Sequence, residues 1–312
     1  MDNDFNIIVL PRHTMSWDEF LSVAPECSIG LDGIVSGGPQ YNPVSRHINF
    51  DHHDHVIREA TMCTAMQVFV AIKGGLIKRF LESGKNKIHI YINDTDQDTC
   101  FAVWLLDNYK KFEGVQNNVA INRLLDITNK LDITGGGFPM NLRHKLMRQH
   151  CWIFKPYSDL RKSGQLAVGN CHVLRDNLDA VMARLTQAYI GEADEEEMDT
   201  RSIILHDSPK YKIVDEIGGN DARYALFAQG MDAFVSIVAY RNDGNLVISI
   251  GKRSQYVDFP IEDLYDDLNA AEGLTRTNGW NGSGIIGGSS RQRGTSLSWE
   301  QIRDIVDARL AL

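Results

Sequence analysis

Short apolar runs of strand type alternate with helix-period stretches through the first half of the chain. Phe5 to Leu10 reads as a strand, and Ser16-Trp17-Asp18-Glu19 supplies a capping-box start for the helix that follows. His47 to Phe50 is another short alternating run. Ala60 to Lys73 reads as a helix stopped by Gly74-Gly75, and Leu76 to Glu82 as a second helical piece. Lys87 to Asn93 alternates as a strand and runs into Asp94-Thr95-Asp96-Gln97-Asp98, after which Thr99 to Lys111 is helical. This order predicts an α/β layer around a mostly parallel sheet, with the acidic cluster on a strand-to-helix turn. Asn141 to Ile190 is mainly helical in pattern.

Beyond an acidic stretch from Gly191 to Asp199 the character changes. Tyr211 to Ile217 reads as a strand, Asp221 to Gln229 as a helix, and Ala233 to Arg241 with Leu246 to Lys252 as a hairpin around Asn242-Asp243-Gly244-Asn245. Pro260 to Ala271 is helical, a glycine-rich passage runs from Gly279 to Gly294, and Ser298-Trp299-Glu300-Gln301 opens a last helix. The expected organisation is an α/β domain over residues 1–190, an acidic linker over 191–200 that reads as solvated chain, and a smaller α+β domain over 201–312.

The length of 312 residues suffices for two cores, and 43% hydrophobic content is ordinary for packed globular structure. With 41 acidic against 32 basic residues the net charge is −9, which argues against duplex DNA as a partner. Positive charge for a phosphorylated partner must then be local, from a metal or a few arginines. The five cysteines are scattered and form no C-x-x-C pair, a usage that suits reduced thiols and a cytoplasmic setting. No run approaches the roughly 20 apolar residues of a membrane span, and the Ile7–Leu10 run is too short for a signal peptide. No membrane partner is expected, and dimerisation is left open.

The segment Asp51-His52-His53-Asp54-His55 offers five potential metal ligands in five residues, directly after a strand-like run. Carboxylate oxygen with imidazole nitrogen suits Mn²⁺, Fe²⁺ or Zn²⁺ and can share a site with Mg²⁺. A polar surface loop is the plain alternative. Asp94, Asp96 and Asp98 recur at alternate positions, so they could face one cation, although Asp98 before Thr99 would also serve as a helix N-cap. Asp32, in Leu31-Asp32-Gly33, is either a third strand-end acid or an ordinary turn, and His13 is a lone histidine past the first strand. Two metals bridged by carboxylate can activate water and clamp a phosphoryl group. In the second half, Gly282 to Gly294 joins glycines and hydroxyls to Arg291 and Arg293, a combination suited to phosphate, or a mobile loop; Arg253-Ser254 could contribute beside it. Neither passage has the G-x-x-x-x-G-K-[ST] pattern of a triphosphate loop.

Asp51-His52-His53 at a strand end, followed by the helix bearing Ala60-Thr61, resembles the motif that names the DHH phosphoesterases. The stretch from Leu246 to Ile250 through Arg253-Ser254 to Gly287-Gly288 resembles the substrate-binding domain that accompanies it. The resemblance implies metal-dependent hydrolysis of a phosphodiester or phosphomonoester in a small nucleotide or short single-stranded oligonucleotide, with two Mn²⁺ or Mg²⁺ ions. It implies metal roles for Asp32, Asp51, His52, Asp94, Asp96 and Asp98, with His13 as a further candidate, and a catalytic set of Asp51, His53 and Asp96. Arg253, Ser254, Gly287, Gly288, Ser289, Arg291 and Arg293 would bind substrate.

Two positions depart from the family pattern. The family's D-x-D motif precedes its DHH element and is introduced by a histidine; here the acids follow, and Ile90 or Ile92 stands at the histidine position. Either the motif order is permuted, with His13 filling the gap, or Asp94 corresponds to the family's later single aspartate and the first site is degraded. Gly287-Gly288-Ser289 stands where the family has Gly-Gly-His. A DHH-like nucleotide- or phosphate-binding protein without catalysis is the alternative.

Overall fold

A computed structural model describes residues 4–82, 84, 87–290 and 292–311. The chain is mixed α/β, with two mixed sheets, and divides into two compact units. The first comprises Met1–Ile133, Lys145–Tyr157 and Gly169–Glu196; the second comprises Thr134–His144, Ser158–Val168 and Glu197–Leu312.

The first unit contains β1 (Phe5–Val9), α1 (Trp17–Val23), β2 (Ser28–Leu31), β3 (Gln40–Asn42), β4 (His47–Phe50), α2 (Thr64–Lys73), α3 (Leu76–Leu81), β5 (Ile88–Ile92), α4 (Gln97–Asp107) and α5 (Val119–Ile133). It also holds the first part of α6 (Lys145–Lys162) and all of α7 (Cys171–Tyr189). Its sheet has the order β1-β5-β2-β4-β3. The pairs β1/β5, β5/β2 and β2/β4 run parallel and β3/β4 antiparallel. Leu31 lies beside Phe50, and Ile29 beside both Ile48 and Ile90, so the chain leaves β2, β4 and β5 at one edge of the sheet. In open α/β sheets this carboxyl edge is where ligand-binding groups gather. Ile29, Leu31, Phe50, Ile90 and Ile92 bury against Val68, Ile72, Phe101, Val103 and Leu106 in the principal core.

In the second unit lie β6 (Ile203–Asp207), β7 (Lys212–Asp215), α8 (Asn220–Ala228), β8 (Ala233–Tyr240), β9 (Leu246–Lys252), α9 (Ile261–Glu272), β10 (Asn281–Gly282), β11 (Ile286–Gly288) and α10 (Trp299–Leu310). The sheet order is β10-β11-β9-β8-β7-β6, antiparallel except for the parallel pair β7/β8. Ile213, Val235, Ile237, Ile248 and Ile250 pack with Leu264, Tyr265, Leu268, Ile302 and Val306 in its core. Ser298 caps α10 with a reciprocal Gln301 contact, so the capping-box signature there is realised in full.

Several elements differ from the pattern-based expectation. The helix expected over Ala60 to Lys73 starts at Thr64, after a 3₁₀ turn at Arg58–Ala60, because Thr61 is extended and Cys63 occupies the N-cap position. The helix expected from Thr99 begins at Gln97, because Asp96 rather than Asp98 caps it, accepting from the Thr99 N–H at 2.9 Å. The glycine-rich passage is part of the sheet: β10 and β11 form within it, and β11 pairs with β9. Glycine is required there by close approach, since a Cβ at Gly288 would stand 2.1 Å from the Ile248 carbonyl oxygen and one at Gly287 2.2 Å from the Tyr265 hydroxyl. Part of the acidic stretch is paired: Glu195 contacts Arg148 and Lys145, and Glu196 contacts Lys155. Strand β6 and helix α5 had no counterpart in the expected elements. Among the described residues no helix is long and apolar enough to cross a membrane.

Candidate metal centre

Three chain exits from the carboxyl edge of the first sheet supply the site. Asp32 follows the last residue of β2, Asp51, His52 and His53 follow β4, and Asp94 to Asp98 lead from β5 into α4. Asp132 comes from the last turn of α5. Asp32 has φ +55°, in the left-handed region that aspartate tolerates better than most side chains, and Gly33 continues it at φ +85°.

His52 is the hub. Its Nε2 lies 2.8 Å from Asp132 Oδ2, 3.4 Å from Asp32 Oδ1 and 3.6 Å from Asp98 Oδ2. Nδ1 of His53 stands 3.3 Å from Asp32 Oδ1 and 2.9 Å from Asp51 Oδ1. Among the described residues, two sets bring ligand atoms within 4.8 Å of one another: Asp32 with His52 and His53, and His52 with Asp98 and Asp132. Around a cation with bonds of roughly 2.0–2.2 Å, neighbouring ligand atoms stand about 3–3.5 Å apart, the range in which Asp32 Oδ1 stands from His52 Nε2 and from His53 Nδ1.

The hydrogen bonding makes the same point. Asp32 is oriented by two hydroxyls, Thr64 donating to Oδ1 at 3.1 Å and Thr99 to Oδ2 at 3.0 Å. Asp98 accepts from the Thr64 and Ala65 N–H groups at 2.6 and 2.8 Å, supplying the cap that Cys63 does not give α2. Both ring nitrogens of His52 and the Oδ2 atoms of Asp51 and Asp132 are buried without a hydrogen-bond partner, despite the short His52–Asp132 approach. Each such atom costs about 1–3 kcal/mol when left unpaired, and one cation would satisfy two of them, His52 Nε2 and Asp132 Oδ2. The residues present therefore fit a divalent ion.

Packing so many acids together disturbs their protonation. Burial pushes the His52 imidazolium pKa down, but Asp132 and Asp32 outweigh burial and the opposing Arg58 charge, leaving it at about 10. Burial, then Asp132 and Asp32, push Asp98 up to about 7. Burial and the charges of Asp32, Asp94, Asp132 and Asp98 push Asp96 well above the usual carboxylate range. Asp32 is opposed by burial, yet His53, His52 and Thr99 hold it below that range. Burial and the neighbouring Asp98 and Asp132 push the Cys63 thiol up, so it is no candidate thiolate nucleophile. The metal-free cluster thus takes up protons where a cation would otherwise balance its charge.

Other expected site residues lie outside these two sets. His13 is exposed, with its backbone carbonyl accepting from Asn93. Asp94 accepts from the Thr95 N–H at 2.7 Å, and Asp96 is the cap of α4. In the second unit, Arg253 pairs with Asp232 at 2.6 Å and Ser254 is half-buried. Ser289 is buried and its hydroxyl accepts from the Ile248 N–H, so it is engaged in the sheet. Gly287 and Gly288 form β11, Arg293 is exposed, and Arg291 lies outside the described residues.

Asp132 and its neighbour Arg58, whose Nη2 is 3.4 Å from Asp132 Oδ1, were absent from the expected set. The signal for Asp132, an acid in the last turn of a helix where it opposes the helix dipole, depends on recognising α5, which the expected elements lacked. No protein-family model matches the chain, and no curated protein matches it.

Proposed function

We propose that the first unit carries a divalent-metal phosphoesterase centre, acting on a phosphodiester or phosphomonoester of a small nucleotide or short single-stranded oligonucleotide, with Mn²⁺ or Mg²⁺ as the ions. The observation that carries this reading is the convergence of Asp32, His52, His53, Asp98 and Asp132 at the carboxyl edge of the sheet, with buried, unpaired atoms on His52 and Asp132. The resemblance of Asp51-His52-His53 to the DHH motif supports the reaction class. When bound, the ions supply Lewis acidity toward phosphate oxygens and acidify water.

The chain's own groups divide the remaining work. Asp32 Oδ1 stands 3.4 Å from His52 Nε2 and 3.3 Å from His53 Nδ1, so Asp32 and His52 would hold an ion beside His53. Thr64 and Thr99 fix the orientation of Asp32, as hydrogen-bonded outer residues do for metal-binding carboxylates. The His52 side chain is fully buried whereas that of His53 is 36% exposed, so His53 is the imidazole able to reach a substrate phosphate oxygen. Asp51 Oδ1 accepts from His53 Nδ1 and from its backbone N–H at 3.3 Å, which turns Nε2 of that ring outward as the contact atom.

The test is hydrolysis of 4-nitrophenyl phosphate, its bis ester and a dinucleotide, with Mn²⁺ or Mg²⁺, by the chain and by Asp51→Asn and His52→Ala. Turnover that needs metal and disappears in both variants is expected. Absence of turnover on every ester, or full turnover in the variants, defeats the reading. Metal and nucleotide binding without turnover would instead identify the non-catalytic binding protein.

A further inference from the structure

The residues that approach most closely in the cluster, His52 and Asp132, come from a loop and a helix, and two amides outside the ligand sets connect these carriers. Gln67, on α2 and only 9% exposed, uses one nitrogen for two bonds: Nε2 donates to the Asp51 carbonyl at 2.9 Å and to the Met62 carbonyl at 2.7 Å. It therefore draws together both ends of the segment from Asp51 to Met62, which bears His52 and His53. The Asp51 carbonyl belongs to the peptide unit whose nitrogen is that of His52, so the first bond fixes the plane from which that side chain departs. The Met62 carbonyl belongs to the peptide unit of Cys63, whose N–H donates to Asn129 Oδ1 at 2.8 Å. Asn129 is on α5, one turn before Asp132 on the same face.

We propose that Gln67 and Asn129 are positioning residues that set the separation of His52 from Asp132, and through it the affinity of the cluster for a divalent cation. The inference rests on the metal-centre reading above. Neither amide belongs to a ligand set, and each uses a fixed hydrogen bond to the backbone, the kind of support that outer residues give to metal ligands. Glutamine is suited to the first place because its two amide hydrogens serve two carbonyls from one nitrogen, and asparagine to the second because only an acceptor is needed there.

The experiment measures Co²⁺ affinity by calorimetry, the Co²⁺ absorption spectrum, and melting of the metal-free chain. The proteins compared are the unaltered chain, Gln67→Met, Asn129→Leu, Asn129→Asp and, as a control on the exposed side of α5, Asp126→Ala. Gln67→Met and Asn129→Leu are expected to weaken Co²⁺ binding on the order of 10- to 100-fold and to alter the spectrum. Asn129→Asp, which keeps the acceptor, should bind at least as tightly as the unaltered chain, and Asp126→Ala should match it. Lower melting temperatures with affinity and spectrum unchanged would make both residues merely structural and overturn the inference. If Gln67→Met does not fold, the two Asn129 variants decide. Failure of the unaltered chain to bind Co²⁺ overturns the metal-centre reading itself, and the inference with it.

Discussion

Nε2 of His52 lies 2.8 Å from Oδ2 of Asp132, yet the two buried atoms do not have the geometry of a hydrogen bond. Two lone-pair-bearing atoms hold such a distance out of water only with a proton or a cation to share. Asp132→Asn keeps the shape and removes the charge. It is expected to weaken Mn²⁺ binding by more than about a hundredfold, since even outer residues of metal sites are worth about 10–100-fold. Titration calorimetry with Mn²⁺ checks this, and an unchanged affinity would exclude Asp132 from the ligand set.

The parts of this cluster differ in how far local sequence reveals them. Asp32 and the string from Asp51 to His53 follow directly on apolar runs that become β2 and β4, and strand ends of that kind are visible as a change from alternation to polar residues. Asp94, Asp96 and Asp98 are equally visible, but their division of labour is not. Which of them caps α4 and which crosses to the N-terminus of α2 depends on where α2 packs, a relation between elements far apart in the chain. Asp132 belongs to a helix that the expected elements lacked, and its approach to His52 is a product of packing. The glycine-rich passage shows the opposite ambiguity, because glycines that leave room for a phosphate also leave room for a neighbouring strand.

Thr99 donates to Asp32 Oδ2 inside the protein, so its hydroxyl can be separated from its shape. Thr99→Val removes the donor from a buried, charged acceptor and should lower stability by about 1.5–3 kcal/mol. Thr99→Ser should retain most of it. Urea unfolding of the metal-free chain measures both, and equal midpoints for the valine and serine variants would show that this bond contributes nothing.

The packing at Gly288 leads to a prediction about the second unit alone. A methyl group there would meet the Ile248 carbonyl oxygen at 2.1 Å, a backbone atom that cannot swing away. Gly288→Ala should cost about 1–3 kcal/mol through the strain of overpacking and loosen the β9–β11 pairing. Gly284→Ala, with open space around its Cβ position, serves as the control and should change melting little. Equal melting temperatures for the two variants would show that Gly288 is not needed for strand approach.

His150 gives a pH dependence separate from the metal centre. It is 1% exposed, both its ring nitrogens lack hydrogen-bond partners, and its ring packs beside Phe154 at 4.7 Å. Burial pushes its pKa down from 6.5 to about 3. The folded state thus resists a proton that the unfolded chain accepts readily. Stability from this residue is fully present above the unfolded value near 6.5 and is lost as pH falls from there toward 3. Between pH 7 and pH 5 the loss should be about 2 kcal/mol, from about 1.4 kcal/mol per pH unit below the unfolded pKa. His150→Phe removes the titrating group while retaining a planar ring. The difference in unfolding free energy between this variant and the unaltered chain, measured at pH 7 and again at pH 5 in chelator, should shift by that amount in the variant's favour. A difference that stays constant across this interval would mean that His150 takes up its proton in the folded state.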